Sequence, residues 1–294
     1  MFHVEHEDVC PHPDPLPMGE GGSTWDGSVF RITPESGDVF HVERAAVGNM
    51  CETPVRRDHR PHSTRLPPPR GLFAVDNSAP SLLAQGLERL NLTLDPDAQK
   101  RLLAYADELL KWNEKVSLTA ITRTDEVVDK HLLDSLAVVP EIQGATHLLD
   151  LGAGAGLPGI PLAIALPDLR ATLVDAVAKK TSFMKSGAVK GGVANRIKAV
   201  HARAEGNPEK EGLPRADLVI SRAFMDVGPF LLLARHYLAP GGRVVTMMGQ
   251  TPPAETLQKW AAEAGLELQS RRTFTLPHSQ DPRGVAVFHV KQAK

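Results

Sequence analysis

One stretch of the chain concentrates residues able to do chemistry. Residues 148–159 read Leu-Leu-Asp-Leu-Gly-Ala-Gly-Ala-Gly-Leu-Pro-Gly, with Asp150 followed by Gly152, Gly154, Gly156 and Gly159. Glycine tolerates positive φ and lets a ligand approach the backbone closely. A helix that starts after such a loop exposes unpaired N–H groups. Gly154-x-Gly156-x-x-Gly159 formally matches the dinucleotide fingerprint, and Asp175 follows at a distance suited to ribose hydroxyls. The loop alone therefore suits a nicotinamide cofactor or S-adenosylmethionine. Asp150 tilts the choice to the second, because a carboxylate just before the glycines attracts an ammonium group and repels a pyrophosphate. No second nucleotide-binding half or hydride-transfer constellation follows.

Such a loop must join a strand to a helix, and its surroundings supply both. Residues 147–151 read as an apolar strand and 160–165 as a helix. Strands at 171–174, 197–201, 218–221 and 243–248 then alternate with helices at 179–190, 230–238 and 256–264. Residues 274–276 and 285–290 read as a closing antiparallel pair. Alternating strands and helices imply an α/β fold with a mostly parallel sheet covered on both faces. The ligand then belongs beyond the carboxyl ends of the strands, near the switch point.

Upstream, the pattern is helical throughout. Leu82, Leu83, Leu87 and Leu90 have helical spacing after a serine cap. Asp95 caps the next helix with Pro96 at its first position, and Leu102, Tyr105, Ala106, Leu109 and Trp112 fall on its buried face. Residues 125–139 read as a third helix. We expect residues 80–142 to form a helical cap and 143–294 the ligand-binding domain.

Composition changes near residue 80. The preceding segment is dense in proline, as in Pro67-Pro68-Pro69, holds half of the 12 histidines, and sustains no apolar period. Residues 1–79 read as a disordered extension. Its His3, His6, Cys10 and His12 fit no zinc spacing, so no metal site is expected. Phe2-His3-Val4-Glu5 recurs as Phe40-His41-Val42-Glu43 and nearly again at 288–291, with nothing repeated between the copies. A palindrome of the form TTTCACGTGGAA encodes this tetrapeptide, so the first 70 or so residues read as translated upstream sequence from a misplaced start. The gene's codons test that expectation. The only cysteines, Cys10 and Cys51, lie in this segment, which suits a cytoplasmic protein without disulfides. A net charge of −2 argues against indiscriminate coating of nucleic acid, and no apolar run is long enough to span a membrane. With no heptad pattern, nothing calls for more than a monomer.

Residues from about 100 to 250 resemble the bacterial 16S ribosomal RNA (guanine-N7) methyltransferases, the glucose-inhibited division protein B family. The resemblance rests on Trp112-Asn113, Leu118-Thr119-Ala120-Ile121, His131-Leu132-Leu133-Asp134-Ser135-Leu136 and the glycine loop with its continuation Leu157-Pro158-Gly159-Ile160-Pro161. It continues through Leu173-Val174-Asp175, Lys179-Lys180, Arg203-Ala204-Glu205, Ser221-Arg222-Ala223-Phe224 and Pro240-Gly241-Gly242. Ser117 stands where the family usually has asparagine, and Ala176 where it often has serine. The resemblance implies a Rossmann-like class I methyltransferase fold with a seven-stranded sheet, and S-adenosylmethionine as cofactor. It implies that Gly152, Leu157, Ala204, Glu205 and Arg222 line the cofactor site, with Asp175 at the ribose and Asp150 and Gly154 in the loop. The implied substrate is a guanine of 16S rRNA, as naked RNA or in the small ribosomal subunit.

Guanine N7 carries a lone pair and no proton, so its methylation requires alignment rather than a general base, and no catalytic acid or base is expected. Positioning of this kind supplies roughly 7–11 kcal/mol. Targets in RNA are commonly unstacked bases. Arg123, Lys179, Lys180 and Arg222 are the candidate RNA contacts, with Arg222 also a candidate for the methionine carboxylate. Phe224 is placed to help seat the base. His131 reads as a structural hydrogen-bonding group at the junction of cap and domain.

Overall fold

The computed structural model describes residues 78–290. Seven strands form one sheet: β1 (His147–Leu151), β2 (Arg170–Asp175), β3 (Ile197–His201), β4 (Ala216–Arg222), β5 (Leu238–Met248), β6 (Leu266–Thr275) and β7 (Pro282–Val290). Their order is β3-β2-β1-β4-β5-β7-β6. The first five are parallel, while β7 runs antiparallel between β5 and β6. This is the architecture of a Rossmann-like class I methyltransferase. The chain steps outward from β1 to β3 and then returns to the other side of β1 at β4. The switch point therefore lies between β1 and β4, where loops from both directions diverge and leave a crevice.

Side-chain alternation along each strand builds two cores. Leu148, Leu173, Leu218, Ile220 and Val245 face one layer, packed by the helices α1 (Ala79–Arg89), α2 (Pro96–Asn113), α5 (Gly159–Ala165) and α6 (Ala178–Lys190). Leu149, Leu151, Val174, Val219 and Phe288 face the other, packed by α8 (Val227–Ala234) and α9 (Ala254–Glu263). The N-terminal helices thus share a continuous core with the sheet. The 1–79 extension, its His/Cys group and the first two tetrapeptide copies lie outside the described residues, apart from Ser78 and Ala79.

Several boundaries differ from those expected. The first helix begins at Ala79 with Pro80 in its first turn, so Ser81 is inside the helix and accepts from Gln85 Nε2. Asp95 caps α2 as expected, accepting from the Asp97 N–H at 2.8 Å. The third helical run is not uniform: α3 (Thr124–Val127) passes into a π-helical turn, Val128–Leu133, and then α4 (Asp134–Leu136). Leu238 begins β5 instead of ending a helix. The Pro240-Gly241-Gly242 turn sits inside that strand as a bulge, where pairing jumps from Ala216↔Leu238 to Leu218↔Arg243. Strand β6 extends eight residues upstream of the expected 274. As the sheet's edge it has one neighbour, and much of it is exposed, so its apolar alternation is weak. A short helix, α7 (Pro208–Glu211), had not been expected. Its signal is plain in retrospect: Asn207 caps it, Pro208 opens it, and Gly212 closes it in the left-handed conformation.

Candidate cofactor site

The loops after β1, β2, β3 and β4 enclose a cavity of about 510 Å³ at the switch point, a size typical of small-molecule sites. Gly152, Asp175, Ala204 and Glu205 line it, together with Lys180, Arg203 and Phe224. Gly152 leaves β1 at φ +72°, and a Cβ there would sit 2.1 Å from the Phe224 ring. The glycine is required by the packing of the Ala223–Met225 turn as much as by any ligand. Gly154, at φ +59°, has open space where a Cβ would stand.

Asp175 organises this cavity. Its Oδ1 accepts from the Val177 N–H at 2.8 Å and its Oδ2 from the Gly154 N–H at 3.0 Å, while Lys180 Nζ lies 3.9 Å away. One carboxylate thereby ties the glycine loop to the start of α6. Each oxygen keeps a lone pair free to accept a ribose hydroxyl.

Asp150 does something else. It is fully buried and lines no part of the cavity. Its Oδ2 accepts from the Gly159 N–H at 3.0 Å, capping α5 beneath the loop, and its Oδ1 has no partner among the described residues. Burial pushes its pKa up to about 8, against the Gly159 hydrogen bond and the nearby Arg222 charge. The expectation that Asp150 attracts a ligand's ammonium group is therefore corrected, because the side chain points into the helical layer.

The case against a dinucleotide becomes structural. A pyrophosphate binds free N–H groups at a helix N-terminus. Here Pro158 and Pro161 have none, Gly159 N–H is taken by Asp150, and Ile160 N–H is taken by the Gly156 carbonyl at 2.8 Å. The start of α5 offers a phosphate nothing, whereas the cavity's acids and small residues suit the hydroxyls, amine and sulfonium of S-adenosylmethionine.

Two other expected lining residues are elsewhere. Leu157 is buried in the helical-layer core. Arg222 ends β4 pointing into that same layer, where it donates to Asp134 Oδ2 and to the Lys130 carbonyl, both at 3.0 Å. Alternation dictates this: Arg222 falls on the face of Leu218 and Ile220. It pairs there with Asp134 and does not line the cavity.

The π-helical turn explains the His131–Leu136 motif. Asp129 accepts from the His278 and Ser279 N–H groups, and Asp134 holds both Arg222 and Arg283. His131 Nε2 lies 2.9 Å from the Thr119 hydroxyl, with Nδ1 3.0 Å from the Lys130 carbonyl. Burial, with Arg222 alongside, pushes the His131 pKa down to about 4. Asn113 Oδ1 accepts from the Leu118 and Thr119 N–H groups, fixing the neighbouring loop. Tyr105, on α2, donates to the Ala155 carbonyl at 2.7 Å and so anchors the glycine loop from below.

A family model for GidB, rRNA small subunit methyltransferase G, matches residues 98–281. The chain belongs to the GidB family. Ribosomal RNA small subunit methyltransferase G of Myxococcus xanthus (strain DK1622) is 53% identical over 206 residues, 70% of this chain and 94% of that protein. The protein of the same name from Anaeromyxobacter dehalogenans (strain 2CP-C) is 47% identical over 212 residues, 72% of this chain and 98% of that one. A third, from Geobacter sp. (strain M21), is 40% identical over 212 residues, covering 71% and 97%. As a GidB-family member the protein is an S-adenosylmethionine-dependent methyltransferase, and no helix among the described residues is long and apolar enough to cross a membrane.

Of the candidate RNA contacts, Lys180 faces the cofactor cavity, Lys179 is exposed beside it, and Arg123 is exposed and paired with Asp125. Sequence reasoning had not assigned Ala176, Ala202, Arg203, Ala223 or Met225 to the cavity. Their shared signal is position, immediately after the ends of β2, β3 and β4.

Proposed function

We propose that this protein transfers a methyl group from S-adenosylmethionine to N7 of a guanine in 16S rRNA, acting on the RNA or on the small ribosomal subunit. The reading is carried by one observation. The cavity beside the phosphate-blind start of α5 presents a strand-end carboxylate, Asp175, in a chain whose relatives are named ribosomal RNA small subunit methyltransferase G. When bound, S-adenosylmethionine supplies an electrophilic methyl that the N7 lone pair attacks in line, the sulfur leaving with the bonding electrons.

The protein's own contribution is then to bind, align and exclude water. Gly152, Ala204 and Glu205 contact the cofactor, and Asp175 accepts from its ribose. Gly154 is held at the cavity edge by Asp175. Asp150 and Leu157 act indirectly, by setting the loop's shape from beneath. Arg222 acts through Asp134, fixing the turn that walls the cavity. Residues 80–142 serve as a cap that buttresses the loop through Tyr105. Lys179, Lys180 and Arg123 meet RNA phosphates. No side chain is needed as a base, since N7 has no proton to lose.

The test is incubation with methyl-labelled S-adenosylmethionine and small-subunit particles that lack the modification. Label recovered as 7-methylguanine is expected. Label in another base or in protein, or none despite cofactor binding, would overturn the assignment.

A further inference from the structure

A second cavity, of about 520 Å³, opens beside the first at the ends of β4 and β5. It shares Ala223 and Met225 with the cofactor cavity, so the two cavities adjoin at this short turn. Ala223 holds φ +53°, uncommon for a residue with a Cβ and a mark of a turn fixed by its surroundings. The cavity is walled by apolar and thioether side chains, Met225, Met248, Phe230 and Trp260 among them. Two polar groups in its lining, among others, have no side-chain partner among the described residues. The Thr246 hydroxyl is buried and makes no hydrogen bond among the described residues. The Asp226 carboxylate is exposed, precedes α8, and neither caps that helix nor pairs with any described side chain. Buried polar groups are ordinarily satisfied, so an unpaired Thr246 in a cavity lining points to a missing ligand.

We propose that this cavity receives the target guanine and that Asp226 reads its Watson–Crick edge, an inference that rests on the protein being a guanine methyltransferase. Flat apolar and thioether walls suit an unstacked base. Guanine presents N1–H and N2–H side by side, two donors that a carboxylate accepts with both oxygens. Adenine presents an acceptor at N1, which a carboxylate repels. Binding the Watson–Crick edge leaves N7, on another edge of the base, free to meet the methyl group where the two cavities adjoin at the Ala223–Met225 turn. Thr246 donates its hydroxyl hydrogen to O6. Asp226 is a specificity-determining residue in this arrangement.

The test is a cycle of protein and base. Wild type and Asp226→Asn are compared on particles reconstituted with guanine or inosine, which lacks the N2 amine, at the methylated position. The Asp226 side chain makes no capping hydrogen bond, so α8 is preserved. For wild type, inosine is expected to lower kcat/KM about 10-fold, the loss of one hydrogen bond to a charged group. Asp226→Asn is expected to lower kcat/KM on guanine at least as far, to leave the cofactor Kd unchanged, and to lose the preference for guanine over inosine. Thr246→Val folds at least as well, because it removes an unpaired hydroxyl, and lowers kcat/KM on guanine several-fold. Asp226→Asn that keeps both the wild-type rate and the preference, or Thr246→Val that keeps the wild-type rate, overturns the proposal. A wild type that labels no guanine overturns instead the function on which it rests, and does so before any substitution is made.

Discussion

β1 and β2 lie side by side in parallel, and each carries an aspartate near its carboxyl end. Register sets the two at different depths: Asp150 pairs with Leu173, two residues short of Asp175. Two residues along a strand are roughly 6–7 Å. That offset leaves Asp150 fully buried, capping α5 with one oxygen unpaired, while Asp175 stands at the cavity with both oxygens in use. One acid shapes the loop and the other faces the cavity. Identical chemistry, placed one pleat apart, becomes a buried structural group in one strand and a cavity-lining group in the next.

The sharpest way to break this comparison is at the loop that joins the two regions. Gly152→Asp places a side chain on the Phe224 ring at a positive φ, and cofactor binding should fall below detection in calorimetry. Retained affinity would mean the ligand lies elsewhere. Next in size, Asp175→Ala removes a ribose acceptor and frees the Gly154 N–H. Cofactor affinity should drop about 100-fold, as expected for two hydrogen bonds to a charged group. A variant that binds normally would remove Asp175 from the site.

Asp150→Asn should act on stability. The Asp150 pKa rises from its ordinary value near 3.9 to about 8 in the folded state. The stability associated with its neutral form is fully present below about pH 4 and is lost as pH climbs to about 8, by at most about 1.4 kcal/mol per pH unit. Denaturant titrations at pH 5 and pH 8 should show that decline in wild type and a smaller one in Asp150→Asn. Equal declines would refute the assignment. The smallest effects separate two neighbouring lysines. Lys179→Ala should weaken RNA binding and reduce its salt slope by about 1 with cofactor affinity unchanged, whereas Lys180→Ala, beside Asp175, should weaken RNA binding and also alter cofactor affinity severalfold. Identical behaviour would erase the distinction between exposed and cavity-facing positions.

The elements around the loop were legible because their signals are local. Asp95-Pro96 announces a helix start, and 197–201 is a strand within the bounds expected. The long edge strand β6 was mostly hidden, since six of its residues from Glu267 to Thr275 face solvent and Arg272 covers Phe274 in place of an apolar neighbour. The π-helical turn was invisible, because apolar spacing does not distinguish hydrogen bonds to the fourth residue from those to the fifth. It follows from distant partners, the 278–279 amides, Arg222 and Arg283. The site was half legible. Glycines and acids mark the strand ends, but a residue's face depends on counting from a strand whose exact register is set by its neighbours. For that reason the pairing of Arg222 with Asp134 was not legible in the sequence.

By itself the sequence determined the α/β alternation, the glycine loop, the strand-end acids and the family, all of which depend on residue type and short spacing. Tertiary structure alone decided which aspartate meets the cavity, where Arg222 points, and that the start of α5 has no free N–H for a phosphate. Each of these depends on register and side-chain alternation between strands far apart in the chain, and no short window of residues contains them.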